Sequence, residues 1–208
     1  MDLQLRWRRE GHREYPALVC RFPAPVLAIS SAPHGGGIGL RRWVVNAQVP
    51  ASYARRDPER HLGKLAVSFG LAGRGIGMLT AVDVRGYATA DDGGVHAVAT
   101  VGLGNPVRAA DVEHPKQLTE VGTINLFVVV PERLSDGAMV NVVATATEAK
   151  AQALAHLGID GTGTPTDAIC IACPPEGMAH TFGGPRSTWG SRLARAVHDV
   201  VLAGARGV

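Results

Sequence analysis

The sequence predicts one α/β domain, a mixed and partly antiparallel sheet with packed helices. Three observations lead there. The chain has 208 residues, 46% hydrophobic and 19% charged, which fills one sizeable core and excludes a coiled coil or a disordered chain. Short strand-like runs rich in Val and Ile alternate with about three helical patterns. No linker and no internal repeat interrupts them. With 26 Gly, 13 Pro and only 5% aromatic residues, many tight turns and a core of Val, Ala, Leu and Ile are expected.

In chain order, residues 17–22 and 26–30 read as two short strands bent at Pro23 and Pro25. The stretch from His34 to Gly39 is too glycine-rich for helix or strand, and a strand follows over residues 42–49. Asp57 as N-cap with Pro58 at the first helical position starts a helix whose apolar stripe is Leu62, Leu65, Ala66 and Phe69, and Gly70 and Gly73 end it. Strands over 76–84 and 95–103 are separated by Asp91-Asp92-Gly93-Gly94, a hairpin signal that predicts antiparallel pairing between them. After a polar stretch at 111–120, residues 122–130 form an apolar run suited to a central strand buried on both faces. Ser135 caps a helix reaching about His156, closed by Gly158, and a Gly- and Thr-rich loop at 161–166 leads to a strand from Asp167. A last helix covers 188–203. The Arg-rich residues 1–16 are set apart as an N-terminal extension, leaving 17–208 as the folded domain.

The net charge is +3, and Lys64, Lys116 and Lys150 are the only lysines among 21 basic residues. Basic residues cluster only at Arg6, Arg8, Arg9 and Arg13, with no aromatic-interleaved stripe, so nucleic-acid binding is not expected. No apolar run is long enough to span a membrane, and no export signal is recognisable at the start, so a cytoplasmic location is expected. Cys20, Cys170 and Cys173 are an odd set. Positions 170 and 173 on a strand point to opposite faces, so the two thiols do not converge and read as buried core residues. The eight histidines form no HxxxH or HxH spacing, and neither a metal site nor a cofactor is expected. There is also no Walker lysine motif.

His34-Gly35-Gly36-Gly37 looks like the segment that supplies oxyanion-hole amides in some esterases. That use needs a nucleophile elbow, and the nearest serine, Ser68, lies inside a helix pattern; the glycines equally well form a simple turn. At about 100° per residue, the helix from Ser135 places Met139, Val142, Val143, Ala146, Ala149, Ala153, Leu154 and Leu157 on one face, with Lys150 inside that stripe. Glu148 points almost oppositely, on the side of Thr145 and Gln152. Ala138, Val140, Ala144 and Ala151 make the other faces small and apolar, so the helix is expected to be covered on both sides. A charge held there would serve as base, acid or anchor; the alternative is a snorkelling lysine and a solvated glutamate. Asn46, Thr80, Asp83, Thr123 and Asn125 interrupt apolar strands, each explicable singly as a satisfied polar group.

Taken in order, Ser30-Ser31-Ala32 with Gly35-Gly36, Trp43-Val44-Val45-Asn46, Gly77-Met78-Leu79-Thr80-Ala81, Gly122-Thr123-Ile124-Asn125, the run Ala144 to Lys150 and Gly163-Thr164-Pro165-Thr166-Asp167-Ala168 resemble the adenosylcobinamide amidohydrolase family over roughly residues 17–203. The resemblance implies a hydrolase that cleaves the amide between the corrin propionyl side chain and aminopropanol. Its products would be adenosylcobyric acid and 1-aminopropan-2-ol, in corrinoid salvage for cobalamin synthesis. Such a reaction needs an activated water or nucleophile, oxyanion donors and an acid for the leaving amine. Glu148 is the candidate to activate water, with Lys150 or Asp167 assisting. Backbone amides at Gly35, Gly36 and Gly37, with Asn46 or Asn125, are candidates for the oxyanion; Ser31, Thr80 and Thr123 are candidate nucleophiles or amide-binding hydroxyls, and Thr166 is a candidate for binding the substrate. A non-catalytic corrinoid-binding protein and a serine esterase using Ser68 are the competing readings.

Overall fold

The computed structural model describes residues 2–112 and 122–206. Eight strands make one sheet: β1 (Asp2–Glu10), β2 (Arg13–Ser30), β3 (Gly37–Gln48), β4 (Ile76–Thr80), β5 (Ala88–Asp92), β6 (Val95–Leu103), β7 (Gly122–Val129) and β8 (Ala168–Cys173). Three helices accompany them: α1 (Pro58–Ser68), α2 (Asp136–His156) and α3 (Thr188–Arg206). The strand order is β4-β3-β2-β8-β7-β6-β5, with β1 added on β2. Only β3–β4 and β7–β8 are parallel, so the fold is a mixed α/β domain with a mostly antiparallel sheet.

Strand β2 is long enough to serve two neighbours on one edge. Its first half pairs with β1 from Arg13 to Arg21, and its last residues, Leu27 to Ser30, pair with β8. The bend expected at Pro23 and Pro25 is a register shift between Arg21 and Val26 within one continuous strand rather than a break between two. Prolines lack the ladder N–H, so the pairing skips them while the chain stays extended. The Arg-rich segment 1–16 is, over its described residues, β1 and the start of β2, hydrogen-bonded in register to the rest of the sheet. The glycine-rich stretch also differs from expectation: Gly37, Ile38 and Gly39 open β3 opposite Ser30, Ile29 and Ala28.

The hairpin forms at the expected turn with a different partner. Gly93 and Gly94 take φ of 52° and 93°, the mirror-image turn that suits twisted strands, but they join β5 to β6. The run at 76–84 is strand only to Thr80; beyond it the Asp83 carboxylate accepts from the Arg85 amide at 3.0 Å and caps a 3-10 turn over Val84–Gly86. Its first part, β4, lies at the far edge of the sheet beside β3. The polar stretch at 111–120 falls, from residue 113 on, outside the described residues.

Three apolar layers follow from strand alternation. Outward residues of β6, β7 and β8, such as Val101, Leu126 and Ile171, pack under α2 and α3. Outward residues of β2 and β3, including Val19, Trp43 and Val45, pack under Leu62 and Leu65 of α1 and Phe69 just after it. The inner faces of both halves meet: Cys20, Val44 and Met78 share a cluster with Val98, Phe127 and Cys170, so the sheet curls over on itself. Cys170 lies in that inner cluster and Cys173 under the helices, on opposite faces as their spacing requires. All three cysteines are free and buried. Among the described residues no helix is long and apolar enough to cross a membrane.

The caps act as the sequence suggests, with one exception. The Ser135 hydroxyl accepts from the Ala138 amide at 3.2 Å. Asp57 stands at the N-cap of α1, but its carboxylate takes both Arg55 nitrogens at 2.9 Å instead of a helix amide. Helix α2 is not covered on both sides: Val140 and Ala144 face outward and are exposed.

Candidate functional site

Segment 163–168, between the end of α2 and β8, is where the polar groups of the sheet edge converge. Lys150 is turned inward from α2, 6% exposed, and its ammonium donates to Asp167 Oδ2. The other Asp167 oxygen accepts from the Ile124 amide at 2.8 Å and the Thr164 hydroxyl at 2.5 Å, while Oδ2 also takes the Thr164 amide at 3.0 Å. One carboxylate thus ties α2, the start of β7 and the 163–167 loop together. Such a buried pair survives because every lone pair is used. Gly163 is required by this packing, since a Cβ there would overlap both the Lys150 ammonium and Asp167 Oδ2.

Two hollows flank the segment. The first, about 400 Å³, is lined by Leu79, Thr80 and Ala81 at the end of β4, by Gly122 and Thr123 at the start of β7, by Pro165 and Thr166, and by Val49, Pro50 and Tyr53 beyond β3. On its floor the Thr123 and Thr166 hydroxyls are 2.7 Å apart, and Thr123 also donates to the Gly122 carbonyl at 2.8 Å. Thr80 accepts from the Val82 amide at 3.1 Å. The second hollow, about 610 Å³ and more open, is lined by Glu148, Lys150, Ala144, Thr147, Thr162 and Thr164. Glu148 is exposed there, whereas Thr145 is buried and donates to the Gly183 carbonyl at 2.9 Å, so the two do not share a side.

The remaining expected residues are elsewhere. Asn46 and Asn125 are buried between β3, β6 and β7: Asn125 Nδ2 donates to Asn46 Oδ1 at 2.8 Å and to the Leu79 carbonyl at 2.9 Å, and Asn46 donates to Thr100 at 2.9 Å. They hold up the strand behind Thr80 rather than lining the hollow. Ser31 accepts from the Ile169 amide at 3.1 Å, steadying the start of β8. Gly35 and Gly36 line neither hollow. Their carbonyls accept from the buried Arg41 guanidinium at 2.7 to 3.2 Å, and a Cβ on Gly35 would strike the Gly75 carbonyl. The Ser68 hydroxyl donates to the Leu65 carbonyl in its own helix at 2.8 Å and lies at the end of α1 rather than on a strand-to-helix turn, so the esterase reading has no nucleophile elbow. Among the described residues no three His, Cys, Asp or Glu side chains group as metal ligands.

Sequence reasoning did not find Tyr53, His61 and Glu10. Tyr53 lines the first hollow, and its hydroxyl is 3.0 Å from His61 Nδ1; His61 Nε2 is 3.2 Å from Glu10 Oε1. The available signal was His61 itself, four residues before Leu65 and therefore on the buried stripe of α1.

This is an α/β fold whose first hollow is lined, among the described residues, by apolar side chains, threonine hydroxyls and Tyr53. The adenosylcobinamide amidohydrolase family model matches residues 3–207, and the chain belongs to that family of amide hydrolases. It is 30% identical over 188 residues to the adenosylcobinamide amidohydrolase of Methanosarcina mazei, covering 85% of this chain and 88% of that protein. It is 31% identical over 193 residues to the one of Halobacterium salinarum, covering 89% and 83%. Among solved structures, the PH0078 protein of Pyrococcus horikoshii shares the fold, with a TM-score of 0.52 at 10% identity over 93% of this chain and 77% of that one.

Proposed function

We propose that this protein hydrolyses the amide joining the corrin propionyl side chain to aminopropanol in adenosylcobinamide, giving adenosylcobyric acid and 1-aminopropan-2-ol for corrinoid salvage. The observation that carries the reading, beside family membership, is the hollow floored by Thr123 and Thr166. About 400 Å³ is at the small end of ligand sites, enough for the side chain and its amide, with the macrocycle lying across the mouth. Apolar walls of Val49, Pro50, Leu79 and Ala81 exclude water from the amide, and the threonine hydroxyl oxygens offer its N–H acceptor lone pairs. Lys150 and Asp167 act from behind, fixing Thr166 through the loop they anchor.

A second reading keeps the chemistry in the open groove, favoured by the exposure of Glu148 beside Lys150 and Thr164. There the carboxylate activates water. Incubation with adenosylcobinamide followed by liquid chromatography and mass spectrometry tests both. Wild-type conversion to adenosylcobyric acid with matching aminopropanol is expected, lost in Thr166→Val and kept in Glu148→Gln. Loss in Glu148→Gln with Thr166→Val active moves the reaction to the groove. Tight binding with no product from the wild-type protein identifies a corrinoid-binding protein instead.

A further inference from the structure

We infer that Tyr53, His61 and Glu10 form a proton relay serving the threonine-floored hollow; this rests on the proposed function of that hollow. Among the described residues that line it, Tyr53 alone has a titratable side chain, which makes it the group there able to carry acid–base chemistry. Its hydroxyl has a single protein partner among the described residues, His61 Nδ1 at 3.0 Å, with the two rings stacked at 5.6 Å. His61 is buried, and its far nitrogen faces Glu10. Glu10 is held in turn by Arg8 Nε at 2.5 Å, and Arg8 is fastened to the Gln48 and Pro16 carbonyls. Arg9, Arg55 and Lys64 line an outer groove with His61 and Glu10, and Asp57, paired to Arg55, also lies close enough to act on Tyr53.

The chain sets its own direction. A carboxylate can only accept, so Glu10 fixes the proton of neutral His61 on Nε2 and leaves Nδ1 to accept the tyrosine O–H. The free lone pair of Tyr53 then accepts a proton from water as its oxygen adds to the amide carbon, while the phenolic proton moves to His61. The imidazolium faces the Glu10 carboxylate. In the second half the proton returns from Nδ1 to Tyr53, Tyr53 protonates the nitrogen, and the C–N bond breaks. Water is consumed, an acid and an amine are released, and the relay ends as it began. Tyr53 touches the reacting atoms; His61 and Glu10 are positioning residues.

The experiment compares variants with adenosylcobinamide under conditions where the wild-type protein turns over. Tyr53→Phe is expected to lose about 100-fold or more in kcat with KM and melting temperature within twofold and a few degrees of wild type. His61→Asn, which keeps hydrogen-bonding groups but cannot take up and return a proton, is expected to fall comparably. His61→Ala is expected to regain turnover with added imidazole, and Tyr53→Phe is not. A Tyr53→Phe kcat within about threefold of wild type overturns the relay; if Thr166→Val is inactive in the same assay, the hollow stands without it. If neither variant matters while wild type turns over, the hollow reading fails as well, and absence of wild-type turnover removes both.

Discussion

Lys150 reaches Asp167 across the interior, an ammonium from a helix and a carboxylate from the loop before β8, both almost fully enclosed. Seventeen residues separate them in the chain, and the contact joins three elements at the edge of the candidate site. Removing one partner leaves a desolvated charge. Lys150→Met or Asp167→Leu should therefore each lower unfolding stability by about 3–5 kcal/mol, and the double variant should lose less than the two singles together. Urea titrations of the four proteins measure this; single losses below about 1 kcal/mol would mean that water reaches the pair.

Gly163→Ala tests the same centre from the backbone. A methyl group there meets the Lys150 ammonium and Asp167 Oδ2 at once, so the pair must separate or the loop must move. A loss of about 1–3 kcal/mol is expected, with amide hydrolysis reduced further than stability explains because Thr166 shifts with the loop. Gly137→Ala, where a Cβ meets nothing, is the matched control in an exposed helical position and should gain a few tenths of a kcal/mol.

Helix limits were legible because they are chemically punctuated: Asp57-Pro58 and Ser135 stand where the helices begin. The strand at 76–84 was misread for an equally local reason. Its apolar alternation continues past Thr80, but the Thr80 hydroxyl takes the Val82 amide and the Asp83 carboxylate the Arg85 amide, turning the chain out of the strand. Parallel pairing of β3 with β4 leaves no such mark, since it depends on α1 crossing over between them. At the site, helix phase placed Lys150 on the buried face of α2 but was silent on its partner. Tyr53, His61 and Glu10 come from a loop, a helix and an edge strand, with no spacing to connect them.

The β5–β6 hairpin is pinned to α3 by Asp92, which takes the Arg195 fork at 2.5 and 2.9 Å. That hydrogen-bonded guanidinium holds the Asp92 carboxyl below its ordinary 3.8. With the folded value depressed, its stabilisation is present above the unfolded carboxyl's titration and is lost as pH falls through the folded one. Asp92→Asn should cost a small amount at neutral pH, less in high salt because the pair is partly exposed, and almost nothing near pH 2. Melting temperatures of the two proteins should converge on acidification; a constant gap would mean that the amide disrupts the turn by itself.

On the alkaline side the buried cysteines contribute to the response. Burial pushes the Cys20 thiol up to about 12 and raises Cys170 and Cys173 as well. Thiolate is the reactive form, so at about pH 8 the native protein should resist a thiol reagent that modifies all three cysteines once urea unfolds it. Because the folded values are raised, the unfolded chain releases protons first: stability is intact below the thiol's ordinary 9.0 and falls as pH rises from there toward about 12. Cys20→Ala removes one of these groups at the cost of a small cavity. Its urea midpoint should be lower than wild type at about pH 8, and the difference should narrow at about pH 10.5 as the wild-type thiol exerts its penalty. An unchanged difference would mean that water already reaches Cys20 in the folded protein.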